Sequence, residues 1–464
     1  MTMLHDHIES TEPGLPAPES AAPPSRPTRR LVIVVRADPV ICGHSGEARN
    51  LAEVALTRGF DDVRIVTWTI PTLMAAGLPL KPLESVLPYS PGITVERPEP
   101  VGDYRVPDGR DLSGIVGRLV ELFTEGVPTV AMSLYLTPHA SAIATAAQIA
   151  RSTGMCAPLT TIAEAVGSDI TNVVRTAVDQ GRFGAAAQVL TTYLGNDVCV
   201  AVSAYTKELI VDAALEVDER WGTDFAPECI ERVAVSYPAI DSRSYTHLAA
   251  AETDARLAAR GLERDGYVMF LSRLTKAKGV DDLVNGYAMS AVCRRTKLVI
   301  CGTGPEAQNL RALAASTPCA DRIVFFDDVD DAEKSHLMAG SAAYVLPSKP
   351  RPEFVETFGI ALVEKMLAGG GPIITCATGG IGEAVGPHAR IVPTSRPHAI
   401  ANALNEIVLG LSPGERTRWG AAARAYAMQF DRAHVFDRLF ARLDRPVDET
   451  AGEMVDGATA VTAA

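Results

Sequence analysis

The sequence predicts an α/β protein of two domains, each with a parallel sheet. Three observations carry this reading. The chain of 464 residues is too long for one ordinary hydrophobic core. Apolar runs of strand length alternate with longer helical patterns, the order that produces βαβ units. A polar, Ala-rich stretch at 241–262 interrupts that alternation and reads as a linker with a short helix.

Composition narrows the function. Hydrophobic content of 47% with 21% charged residues is an ordinary globular balance, so a packed core is expected. A net charge of −13 without a dense basic stripe argues against nucleic acid as a partner and against a basic membrane-docking face. The eight cysteines are scattered and none forms a CxxC pair, so a zinc knuckle or redox motif is not expected and a reducing cytoplasm fits. Arg29–Arg30 precedes an apolar run, Leu31–Val35, too short for a secretion signal and interrupted by Arg36 and Asp38. No stretch approaches the length of a membrane span. Residues 1–29 and 446–464, rich in small and polar residues with little to bury, read as disordered tails.

In chain order, Leu31–Val35 is a buried strand. Cys42-Gly-His-Ser-Gly-Glu-Ala-Arg-Asn50 leads into a helix ending near Gly59, and Val63–Trp68 is the next strand. This is a βαβ unit, but its loop lacks the GxGxxG of nicotinamide binders. Residues 70–110 form a Pro-rich, irregular stretch, long for a connection and expected to shape a binding site. Helix Leu112–Phe123, strand Thr129–Leu134, helix Pro138–Arg151 and strand Leu159–Ala163 follow, then a polar loop at Gly167–Asn172. Asp197–Val202 is a strand, and Ser203 caps the helix after it. Arg232–Ser236 closes this half, before Tyr237-Pro-Ala-Ile-Asp241.

The second half starts with strand Tyr267–Leu271 and the loop Ser272-Arg-Leu-Thr-Lys-Ala-Lys-Gly279. Strand Leu298–Cys301 runs into Gly302-Thr-Gly-Pro-Glu306, and Ile323–Phe326 is another strand. The acidic cluster Asp327–Asp331 reads as a solvated turn and helix N-terminus, where the helix dipole favours carboxylates, rather than as a metal site. Strand Ala342–Leu346 precedes the most informative stretch, Ser348–Glu383. Within it Glu356 lies at a helix entrance and Glu364 eight residues later, about two turns in, so both can face one cleft at the strand ends. Free backbone N–H groups at Phe358, Gly359, Ile360 and Ala361 suit a phosphate. Helices are expected at 397–409, 413–429 and 432–443.

Glu-x7-Glu enclosing Phe358–Gly359, followed by Gly379-Gly-Ile-x-Glu383, resembles the donor-site signature of retaining GT-B glycosyltransferases of the family 4 group. The Arg273…Lys278-Gly279 loop and the Gly302-x-Gly-Pro turn are similar to further elements of that family. The resemblance implies a GT-B fold, two Rossmann-like domains facing each other across a cleft. The first would span 30–240 and the donor domain 263–428, with a terminal helix at 429–445 crossing back. It implies transfer of a sugar from a nucleotide diphosphate sugar to a small-molecule acceptor without metal or other cofactor. Glu356, Arg273 and Lys278 would be catalytic. Gly43, Gly46, Gly302, Gly304, Phe326, Thr357, Phe358, Gly359, Ile360, Ala361 and Glu364 would hold the donor. His44, Glu164 and His139 are the acceptor-side candidates; Glu164 stands where the family has a His. The first domain further resembles the lincosamide-pathway ergothioneine thioglycosyltransferases, which implies an antibiotic pathway, a GDP-sugar and a thiol acceptor. An O-linked sugar or cyclitol acceptor, a GT-B sugar-nucleotide epimerase and a non-catalytic binding module stay open, as does self-association.

Overall fold

The computed structural model describes residues 29–102, 109–352 and 354–443; both predicted tails, residue 29 apart, lie outside these. Among the described residues the first sheet has seven parallel strands: β1 (Arg30–Val34), β2 (Asp62–Val66), β3 (Ile93–Glu96), β4 (Thr129–Ser133), β5 (Leu159–Ala165), β6 (Val198–Ala201) and β7 (Val233–Val235). Their spatial order is β3-β2-β1-β4-β5-β6-β7. The second sheet has six: β8 (Tyr267–Leu271), β9 (Lys297–Cys301), β10 (Ile323–Phe326), β11 (Ala343–Leu346), β12 (Ile373–Thr375) and β13 (Ala389–Ile391), ordered β10-β9-β8-β11-β12-β13. Each sheet reverses its direction of growth once, between β1 and β4 and between β8 and β11. Loops diverge at such switch points and leave a crevice at the carboxyl ends of the strands.

Burial explains the strands. Every residue of β1 is buried. Leu31 and Ile33 join one core with Phe60 and Phe436, while Val32 and Val34 join another with Ile115 and Ile143. Successive side chains of a strand point to opposite faces, and both faces here are covered by helices, so the sequence reads as a continuous apolar run.

The chain crosses between domains twice, side by side. Ile240 N donates to Phe430 O at 3.0 Å and Arg432 N donates to Ile240 O at 2.8 Å. After the return crossing, helix Arg432–Phe440 packs Val435, Phe436 and Leu439 into the first domain's core. Tyr237 of the outward crossing stacks on Phe358, ring centroids 5.4 Å apart, and both meet Phe430 edge-on. The crossings are therefore packed directly against the Glu-x7-Glu segment.

Several expectations need correction. Residues 241–262 are not a free linker: Tyr245, Leu257 and Leu262 belong to the second domain's core, and helix Ala250–Ala259 packs on helix Asp331–Gly340. The irregular 70–110 stretch contains helix Ile70–Ala75 and edge strand β3; its residues 103–108 lie outside the description. The polar loop at Gly167–Asn172 turns helical from Ile170, because the Asp169 carboxylate accepts from the backbone N–H groups of Gly167 and Ile170, both at 3.0 Å.

Candidate active site

A cavity of about 1330 Å³ lies between the two domains. Loops from both switch points line it: Arg36–Gly46 after β1, Tyr135 after β4, Ser272–Lys278 after β8, and Phe354–Ala361 after β11. Val166–Ser168, after β5, and Leu78, Pro79, Lys81, Leu87 and Pro88 from the Pro-rich stretch also belong to the first-domain wall.

On the second-domain wall, helix Ile360–Ala368 begins at Gly359, whose φ of 101° is a left-handed conformation that other residues adopt only with strain. Leu362 N is the first amide here to return a bond, to Gly359 O at 2.9 Å, so among the described residues the preceding N–H groups remain free donors. Lys278 is buried and ion-paired with Glu356. Arg273 is exposed in the same loop, and its guanidinium has no hydrogen-bond or ion-pair partner among the described residues. Glu364 accepts from Lys334 Nζ at 2.8 Å and from the Tyr245 hydroxyl at 2.6 Å. Burial is the largest single influence on Lys334 and lowers its pKa; Glu364, Tyr245 and Asp331 together outweigh it and hold the ammonium well above its ordinary value. The wall thus offers an unpaired guanidinium, a paired ammonium and free amides for anionic oxygens, beside two carboxylates for hydroxyls.

The first-domain wall is close enough to shape the second. A Cβ on Gly43 would stand 2.8 Å from Ile360 Cδ1, and one on Gly167 would stand 2.4 Å from Thr357 Cγ2. A side chain of the other domain stands over each, and at Gly167 a φ of 98° independently favours glycine. Gly46 has open space around its Cα and no such constraint. His44 lines the cavity, and its Nδ1 is buried without a partner among the described residues. Burial, and then the nearby Arg36 charge, lower its pKa to about 4, so the ring is neutral at pH 7.

Of the residues singled out from sequence, Gly43, Gly46, His44, Arg273, Lys278, Glu356, Thr357, Phe358, Gly359, Ile360, Ala361 and Glu364 share this cavity. Five do not line it. Gly302 and Gly304 pack under the β8 loop: added Cβ atoms would lie 2.2 Å from Ser272 O and 2.4 Å from Leu274 O, so these glycines serve backbone approach. Phe326 lies under the Arg260 guanidinium, 5.0 Å from its ring centroid. His139 is buried between Trp68 and Tyr135, at 4.8 and 5.5 Å, neither on the surface nor in the cleft. Glu164 is buried against Glu47, where desolvation and the second carboxylate raise its pKa well above the ordinary range. Glu47, beside His44 in the loop after β1, was expected from sequence to face the cleft and lines the cavity; Lys334, Tyr245 and Arg36 also line it and were not found from sequence, because none belongs to a recognisable spacing.

Comparisons with known proteins agree with this geometry. Residues 255–426 match the family model for glycosyl transferases group 1, which covers the second domain. A GDP-mannose-dependent alpha-(1-6)-phosphatidylinositol monomannoside mannosyltransferase of Mycobacterium tuberculosis is 32% identical over 198 residues, 41% of this chain and 46% of that protein. An N-acetyl-alpha-D-glucosaminyl L-malate synthase of Bacillus anthracis is 31% identical over 123 residues, 26% of this chain and 30% of that one. The chain thus spans less than half the length of these curated relatives. Among solved structures, Anabaena HepE in complex with UDP-glucose superposes with a TM-score of 0.63 at 17% identity, covering 89% of this chain and 99% of that one. Sucrose-phosphate synthase from Thermosynechococcus elongatus gives 0.61 at 18% identity over 90% and 99%. The fold is GT-B: two Rossmann-like domains facing each other across a cleft.

Proposed function

We propose that this protein is a retaining glycosyltransferase that moves a sugar from a nucleotide diphosphate sugar to a small-molecule acceptor. The observation that carries the reading is the meeting of Arg273, Lys278 and the free amides at Gly359–Ala361 with Glu356 and Glu364 in one interdomain cavity. Arg273, Lys278 and the amides stabilise charge on the departing diphosphate. Donors fixed in place before reaction and shielded from bulk water contribute several kcal/mol to such a step. Glu356 orients the donor sugar's hydroxyls and holds Lys278; Glu364, steadied by Lys334 and Tyr245, accepts the ribose hydroxyls. The bond from the anomeric carbon to the phosphate oxygen breaks as the acceptor oxygen bonds to that carbon on the same face. The acceptor's proton passes to the departing phosphate oxygen.

The family match over the second domain supports this assignment of the donor side. The M. tuberculosis relative is named for GDP-mannose, which puts GDP-sugars first among donors to try. The test is release of nucleoside diphosphate from GDP-mannose, UDP-glucose and their congeners with a panel of polyol and sugar acceptors, with the product anomer read by NMR. The reading predicts acceptor-dependent release with retained configuration, and a drop of at least about 100-fold for Glu356→Gln. Turnover of donor alone to an epimer would favour an epimerase, and binding without turnover of any donor would favour a binding module.

A further inference from the structure

The charges of the first-domain wall do not balance. Three cations line it: Arg36, Arg49 and Lys81. Asp38 holds two of them, Arg49 at 2.9 Å and Lys81 at 3.4 Å, and Lys81 also reaches Asp331 across the cleft. Arg36 has no ion-pair partner among the described residues. Its guanidinium lies over the Tyr135 ring, 5.1 Å from the centroid, which fixes it in place. The acidic groups of this wall are otherwise engaged: Glu53 accepts from Ser90 N at 3.1 Å, and Glu47 accepts from Ala239 N at 3.1 Å. Around Arg36 stand hydrogen-bonding groups with capacity to spare. The Tyr135 hydroxyl meets Ser168 Oγ at 3.1 Å, and His44 keeps a buried, unpartnered ring nitrogen. In a protein of net charge −13, a half-buried, unpaired arginine facing a cavity calls for an anion.

We propose that Arg36, with His44, Tyr135 and Ser168, forms an oxyanion seat on the acceptor side of the cleft, so that the acceptor carries a carboxylate or a phosphate. This rests on the glycosyltransferase reading for the word acceptor, but the seat itself does not. The donor diphosphate is served by Arg273 and Lys278 on the opposite wall; the anion at Arg36 is a second one, belonging to the other substrate.

The test is calorimetric titration of the full chain with inorganic phosphate and, separately, with malonate, with and without a saturating nucleoside diphosphate. Wild type is expected to bind at least one of the two, and the one it binds names the oxyanion. Arg36→Gln is expected to weaken that binding about ten- to a hundred-fold, the worth of a charged hydrogen-bonding pair, while leaving nucleoside diphosphate binding unchanged. Arg36→Lys should fall between, because an ammonium lacks the planar fork. Arg273→Gln should do the reverse, weakening the nucleotide and sparing the Arg36-dependent site. Equal affinity in wild type and Arg36→Gln, or no binding to wild type at about 20 mM of either anion, would overturn the proposal. Arg36-dependent anion binding in a protein that binds no nucleoside diphosphate would instead overturn the donor-site reading and leave the seat standing.

Discussion

At the scale of single residues, the cleft sets protonation by burial as much as by partners. His44 takes a proton far less readily folded than unfolded, its pKa lowered from 6.5 to about 4 by desolvation and then by Arg36. Between those two values the unfolded chain binds more protons at this position, so stability from His44 is present above pH 6.5 and is lost as pH falls toward 4. His44→Gln is therefore expected to lose less melting temperature than wild type between pH 7 and about 4.5. Parallel curves would show that the ring is not held neutral. Glu47, raised by burial, and Glu164, raised by burial and then by the Glu47 charge, work in the opposite direction, but they are common to both proteins and cancel in the comparison. The same scale shows what a sequence can reveal. Glu356, Glu364, Arg273 and Lys278 were legible because motif spacing and flanking strands fix their positions. Gly302 and Gly304 do not line the cavity, and a glycine that admits a close backbone looks, in sequence, the same as one that admits a ligand. Arg36 was invisible, since its meaning lies in the absence of a partner, which only the fold reveals.

Among the elements, helix Ile360–Ala368 is the one on which the donor wall depends, and a buried lysine anchors it. Lys365 Nζ donates to Met338 O at 2.6 Å, Ser341 Oγ at 2.9 Å and Gly369 O at 2.6 Å, tying the end of this helix to the turn before β11. Lys365→Met fills similar space but takes a donor from three buried acceptors, of which Met338 O still accepts from Ser341 Oγ at 2.9 Å. We expect it to lower unfolding stability by about 3 kcal/mol, read from a denaturant midpoint. An unchanged midpoint would mean that the acceptors find other donors. The central strands of both sheets were legible as apolar runs because both of their faces are covered. Edge strands β3 and β13 were not: they are short and only partly buried, and the run that marks a central strand is missing.

For the whole molecule, the relation between domains decides whether the cleft is assembled. Glu383 of the second domain caps a first-domain helix, accepting from Ala204 N at 2.7 Å and Tyr205 N at 3.0 Å. Lys81 and Asp331 bridge the cleft at 2.5 Å. A helix cap is worth about 1 kcal/mol, so Glu383→Ala should shift the balance toward an open form about fivefold. The expected signs are a larger radius of gyration by solution scattering and weaker nucleotide binding; no change in either would show that the cap does not hold the domains together. Pairing of this kind was beyond the sequence, because it joins residues 179 positions apart with no shared pattern.

The central claim is that the second-domain wall is a nucleoside diphosphate site, and thermal shift against UDP, GDP, ADP and TDP tests it most directly. A ligand that binds only the folded state raises the melting temperature by mass action. The account predicts that at least one of the four stabilises wild type, and that Arg273→Ala and Lys278→Ala each lose most of that shift relative to their own ligand-free melting temperatures. If none stabilises wild type at millimolar concentration, or if the shift persists in both variants, the donor-site assignment is contradicted.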